Sequence, residues 1–307
     1  MRPAVRIPML LAPIALLALT GCGPTGSDAE AIDPQIDAVG TDLATDPDVT
    51  VLADLAYGAA DGEPLLLDAC LPPELDPDAD PVPGILVIHG GSWREGLKDS
   101  VAWRAVCTWL AGAGYPAFSV QYRLAPEHPF PAGFDDVRAA VEWVRAEAER
   151  FGVDPDRLGV FGGSAGGNLA ALVGTGGEGD LDAGARVAAV VDLSGPIDLT
   201  GVDLTDDFAP LQLEYLACAD FGDCPQARLA SPGSHIDASD PPFFIAHSTT
   251  EKIPLAQAEH FVEELRDAGI DVEFLVADGT LHSIALLDDD LKSRILDFYA
   301  RTLGPGA

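Results

Sequence analysis

Eight short apolar runs recur along the chain, at residues 51–57, 65–71, 85–89, 117–122, 157–162, 187–193, 243–247 and 271–276. Each has the length of a strand and is set off by polar or turn-forming residues. The first runs follow one another, whereas most later ones are separated by segments of helical spacing. Asp135 to Phe151 places Val137, Ala140, Val141 and Val144 on one helical face, with Glu and Arg on the other. Ala256 to Ala268 and Leu287 to Leu303 repeat that pattern. Apolar strands alternating with helices need cover on both faces. The expected fold class is therefore α/β, a mostly parallel eight-stranded sheet with helices on both sides. With 307 residues and a hydrophobic fraction of 48%, the chain has ample apolar material for one such core.

The first 21 residues read as a targeting segment outside that fold. Arg2 and Arg6 precede an apolar run, Met9 to Leu19, that is too short for a stable membrane span. It ends in Leu19-Thr20-Gly21-Cys22, which resembles a bacterial lipobox, so Cys22 is the expected lipidation site and first mature residue. A soluble secreted protein cut nearby is the alternative. Residues 22–48 are acidic and lack a sustained apolar period, as a flexible tether would. Residues 49–307 form the expected globular domain. The expected location is extracytoplasmic, in the cell envelope, on a lipid anchor.

The net charge is −33, and removing Arg2 and Arg6 takes it to −35. Such a surface excludes a nucleic-acid partner, which needs a basic face, and it gives no attraction to anionic lipid. Membrane attachment would come from the anchor alone. Four cysteines follow Cys22. Export permits the disulfides Cys218–Cys224, around Ala-Asp-Phe-Gly-Asp, and Cys70–Cys107. Four free thiols are the alternative. No Cys/His spacing reads as a zinc site.

The motif with chemical content is Gly162-Gly163-Ser164-Ala165-Gly166, between the apolar run Leu158 to Phe161 and a helix-like segment from Gly167. Strand, sharp turn and helix are the context of a nucleophile elbow, which makes Ser164 a candidate nucleophile. A serine hydroxyl needs a base, and the base needs an orienting group. His282, in a loop after the last strand, is the expected base among six histidines. Glu251, four residues beyond the strand ending at His247, is the expected acid, and Asp278 is the other carboxylate considered. Donors for a developing alkoxide are expected from the Ala165 N–H and from His89-Gly90-Gly91-Ser92-Trp93, directly after the strand Ile85 to Ile88. Residues 194–241, after strand 6, form a lid-like insertion placed to wall a site. A surface excursion without substrate contact is the alternative reading.

These segments, with Tyr122 to Pro131, Asp135-Asp136, Pro241 to His247 and Gly279-x-x-His282, resemble the hormone-sensitive-lipase-like esterase group of the α/β-hydrolases. The resemblance spans residues 50–303. It implies a Ser164–His282–Glu251 triad, with oxyanion donors from Gly91, Ser92 and Ala165 and with Gly90 shaping the loop. It implies a structural role for Tyr122 to Asp136. Three departures stand out. Gly163 replaces the usual Asp, and Ser248 and Glu251 replace the usual Gly and Asp. The stretch 23–48 is too short and polar for a helical cap, which shifts the resemblance toward open-site relatives: carbohydrate-ester and feruloyl esterases and kynurenine-formamidase-like proteins. The implied activity is cleavage of small-molecule or polymer-linked carboxylic esters through an acyl-enzyme, without metal or organic cofactor. Amide or formamide hydrolysis by the same triad, and a catalytically idle ligand-binding surface lipoprotein, are the alternatives.

Overall fold

The computed structural model describes residues 48–73 and 80–307. The segment 1–21, Cys22 and the tether, apart from Asp48, lie outside the described residues. Eight strands form one sheet: β1 (Thr50–Ala60), β2 (Glu63–Leu71), β3 (Val82–Ile88), β4 (Ala117–Val120), β5 (Val153–Gly163), β6 (Ala189–Leu193), β7 (Phe243–Ser248) and β8 (Val272–Ala277). Their order is β1-β2-β4-β3-β5-β6-β7-β8. The hairpin β1–β2 is antiparallel and β2 runs antiparallel to β4. From β4 to β8 every pairing is parallel.

Both faces of the sheet are apolar because both are covered. Successive residues of β3 alternate between two cores. Leu86 and Ile88 pack with α2 (Ala132–Ala146), α3 (Ala165–Thr175) and α6 (Leu255–Asp267). Ile85 and Val87 pack with α1 (Val101–Gly112) and α7 (Asp289–Thr302). Each central strand thus reads as a continuous apolar run rather than an alternating one.

Two boundaries differ from the sequence expectation. The segment expected as one helix over 135–151 is α2 followed by a tighter 3-10 turn, Ala148–Phe151. Its start lies earlier, at Ala132, and Gly133 in that first turn packs against Tyr122, where an added Cβ would lie 3.0 Å from the ring. Strand β5 begins at Val153, earlier than the apolar run, because Val153 pairs with Val82 before the register shifts.

The segment 194–241 joins β6 to β7 and carries α4 (Ala209–Leu216) and α5 (Pro225–Leu229). Cys218 is bridged to Cys224, just beyond α4. Cys70 on β2 is bridged to Cys107 on α1. No helix among the described residues is long and apolar enough to cross a membrane.

Candidate active site

Ser164 caps α3 at the point where β5 ends, with φ 56° and ψ −125°. That backbone is strained for a residue with a Cβ, and small neighbours make it possible. A Cβ at Gly162 would lie 2.1 Å from the Gly166 carbonyl oxygen, and one at Gly166 would lie 2.1 Å from that of Ile88. The Ser164 N–H donates to the Leu193 carbonyl at 2.8 Å, tying the elbow to the end of β6. The Ser164 side chain is almost fully buried.

Glu251 and His282 lie on the loops after β7 and β8, and the His282 Nδ1–H donates to Glu251 Oε2. The other carboxylate oxygen, Oε1, accepts from the Ser194 hydroxyl at 2.7 Å and from the Ser248 N–H at 3.0 Å. Burial opposes ionisation of Glu251. The hydrogen bond and charge of His282, the nearby His247 and the Ser248 N–H outweigh it, and the Glu251 pKa is lowered. Asp278 is exposed, so the structure brings Glu251 and not Asp278 to the imidazole.

The supporting roles of two residues, Ser194 and Ser248, are not visible in the sequence. The Ser194 Oγ bonded to Glu251 also accepts from the Ser283 N–H at 3.0 Å, linking the acid to the residue after His282. The Ser248 hydroxyl donates to the Leu281 carbonyl on the other side of His282. Both serines sit at carboxyl ends of parallel strands, the position that could have flagged them. Gly163 also gains a reason. A Cβ there would lie 2.2 Å from Ser283 Oγ, so the elbow and the histidine loop meet at a residue where a side chain would displace that hydroxyl.

The loop 89–96 flanks Ser164 on another side. A Cβ on Gly90 would lie 2.8 Å from the Gly163 carbonyl oxygen and 3.2 Å from Ser164 Cβ. Gly91 has φ 121°, and Ser92 and Trp93 also take positive φ, at 51° and 59°. The backbone N–H groups of Gly91, Ser92 and Ala165 donate to no backbone carbonyl among the described residues. His89 is buried and stacks on Tyr122 with ring centroids 4.3 Å apart. Burial pushes its pKa down to about 4 against the opposing Gly90 hydrogen bond, which leaves a neutral ring that shapes the loop. Its carbonyl accepts from the Tyr122 hydroxyl at 2.9 Å. Next in sequence, Arg123 forms a two-pronged pair with Asp136. The segment Tyr122 to Asp136 is thus a brace.

His247 is buried and donates from Nε2 to the Ile253 carbonyl at 2.8 Å. Burial lowers its pKa in spite of Glu251 at 3.3 Å. His260 is exposed. Among the described residues no group of His, Cys, Asp and Glu is arranged to hold a metal ion. The arrangement can do one kind of chemistry well: a hydroxyl at a strained turn, an imidazole oriented by a buried carboxylate, and backbone donors from a glycine loop and a helix N-terminus.

The family model named BD-FAE matches residues 67–265. The chain is 33% identical over 225 residues to the probable carboxylic ester hydrolase LipM of Mycobacterium tuberculosis, covering 69% of this chain and 51% of that one. It is 32% identical over 225 residues to esterase LipC of the same organism, covering 69% and 56%. The chain therefore spans about half the length of these curated relatives. Among solved structures it is similar to Thermogutta terrifontis esterase 2 phosphonylated by sarin. The TM-score is 0.72 at 25% identity, covering 85% of this chain and 97% of that one. The sheet and its likeness to that structure identify the fold as that of the α/β-hydrolases.

Proposed function

The chain belongs to the BD-FAE family, and from that premise we propose that it is a serine hydrolase that cleaves carboxylic esters. The observation that carries the proposal is the Glu251–His282 hydrogen bond on a loop packed against the Ser164 elbow. In this reading Ser164 Oγ attacks the ester carbonyl while His282 takes its proton. Glu251 holds the imidazole in its tautomer and stabilises the imidazolium. The alkoxide that forms is met by the N–H groups of Gly91, Ser92 and Ala165, with Gly90 letting the loop approach. The alcohol leaves with the proton from His282, and water then hydrolyses the acyl-enzyme by the same route.

A fluorophosphonate probe tests this proposal. The expected result is a single adduct on Ser164, with Ser164→Ala losing about 10⁴-fold or more in kcat on a p-nitrophenyl ester. An unlabelled Ser164, or full activity in the variant, sinks the reading.

The same proposal extends to location: residues 1–21 export the chain, Cys22 is acylated, and residues 22–48 tether the domain that begins near residue 49. Two disulfides among the described residues fit an oxidising compartment. Radiolabelled palmitate should be incorporated by the wild type and lost in Cys22→Ala, and equal labelling of both would refute the anchor.

A further inference from the structure

We propose that Tyr215 is a positioning residue that fixes the oxyanion loop through Trp93. The insertion between β6 and β7 would thereby set the geometry of transition-state stabilisation without touching the reacting atoms. The inference rests on the ester-hydrolase reading above.

The loop needs an outside constraint. Ser92 and Trp93 are consecutive non-glycine residues with positive φ, a conformation that persists only where the surroundings impose it. Inside the loop, Arg94 and Glu95 donate to the Gly91 carbonyl, and Ala125 donates to the carbonyl of Trp93 at 2.8 Å. The larger constraint is the Trp93 side chain, which is only 1% exposed. Its ring stacks on Tyr215 with centroids 4.3 Å apart and planes 5° from parallel. Phe208, also in the insertion, lies 6.0 Å from the same indole.

Tyr215 is itself held from three directions. Phe130 meets its ring edge-on at 5.8 Å, and the Phe130 N–H donates to the Tyr215 carbonyl at 2.8 Å. Helix α4 ends one residue later, in the left-handed cap Ala217, and Cys218 is then bridged to Cys224. The third tie is the neighbouring pair Arg94–Glu214 at 3.4 Å, which is half-exposed and weak. The Tyr215 hydroxyl and the Trp93 Nε1–H are buried with no partner among the described residues. The contact therefore acts through ring faces, and removing the hydroxyl should cost little.

Ser92, a proposed oxyanion donor, directly precedes Trp93. A displacement of about 1 Å at such a donor can cost on the order of 100-fold in rate, and losing one donor outright costs about 10²–10³-fold. The donors act on charge that develops in the transition state, so loosening them should lower kcat and leave KM nearly unchanged.

The experiment measures kcat, KM and Tm on p-nitrophenyl acetate for the full chain and for Ser164→Ala, Tyr215→Leu, Tyr215→Phe and Trp93→Phe. The expected result is a roughly 10- to 100-fold lower kcat in Tyr215→Leu at near-constant KM, with Tyr215→Phe close to wild type. A folded Tyr215→Leu with wild-type kcat overturns the inference. So does a Tyr215→Phe as impaired as Tyr215→Leu, which would assign the role to the hydroxyl. If Tyr215→Leu does not fold, Trp93→Phe decides from the other half of the stack: a several-fold lower kcat supports the inference and an unchanged kcat overturns it. A wild type no more active than Ser164→Ala defeats the esterase reading and the inference together. An active wild type with an unaffected Tyr215→Leu defeats the inference alone.

Discussion

The two flanks of Ser164 are held by different forces. On the histidine side, polar groups converge on one buried carboxylate: Ser194, Ser248 and His282 all donate to Glu251. On the oxyanion side, glycine contacts and stacked rings hold the loop, and a buried ion cluster anchors its far end. There the fully buried Asp68 pairs with Lys98 at 2.7 Å and with Arg104 at 2.6 Å. Lys98 is fixed in turn, since its N–H donates to Gln121 and its carbonyl accepts from Ser119. The first flank should answer to charge and pH, and the second to shape and to the integrity of its supports.

The sharpest break of that contrast is Glu251→Gln, which keeps the shape and removes the charge. It should lower kcat by about 10³–10⁴-fold with little change in KM, and a loss under tenfold would show that the carboxylate only fills space. Because its folded pKa is lowered, Glu251 contributes stability above the ordinary carboxylate range. That contribution is lost as pH falls through the lowered value. Part of the wild type's acid sensitivity should therefore disappear in the variant.

Next in size is Asp68→Asn, on the packed flank, which leaves Lys98 and Arg104 facing an uncharged partner. Breaking a buried pair in this way should cost about 3–5 kcal/mol, read from the denaturant midpoint. An unmoved midpoint would mean that exposed Asp54, 2.8 Å from Lys98, carries the cation by itself.

The two bridges extend the comparison to covalent supports. Cys70–Cys107 closes a separation of 37 residues and Cys218–Cys224 one of 6. Double Ser replacement should cost about 4 kcal/mol for the first and about 2 kcal/mol for the second by loop-closure entropy. The reverse order would make the short bridge a tertiary support for α4 beyond its own loop.

The smallest effect belongs to Asp192, a buried carboxyl at the end of β6. Burial, joined by the charge of Glu251, raises its pKa to about 7 against the Gly195 N–H. Well below the unfolded value both states are protonated and the group is silent. As pH rises toward about 7 the unfolded chain gives up the proton first, so folded stability falls, and the penalty is complete above that pH. Asp192→Asn should raise Tm by a few degrees at about pH 8 and by almost nothing at about pH 4. An offset independent of pH would break this account.

The sequence disclosed what depends on local pattern. The inner strands were legible because two-sided burial makes their apolar runs continuous. The Ser164, Glu251 and His282 positions were legible because each follows a strand in a turn-rich segment. The placement of β4 between β2 and β3 was not, since it depends on pairings such as Cys70 with Ala117 that no local pattern encodes. The support that Ser194 and Ser248 give the acid and the histidine was hidden, because it exists only once β6, β7 and β8 lie side by side. The Trp93–Tyr215 stack joins residues more than a hundred positions apart, so neither residue signals the other.

One edge of the sheet bears on how copies of the chain meet. Among the described residues strand β1 pairs on one side only, and its register slips between Leu52 and Leu55 and again between Ala56 and Gly58. Asp54, in the first slip, takes φ 57° and turns its N–H inward to Asp68. An edge kinked twice and carrying a carboxylate makes a poor template for a foreign strand. Molecules held at a membrane surface, as proposed, would crowd in two dimensions, where templated aggregation is the chief hazard of an open sheet, and β1 guards that border.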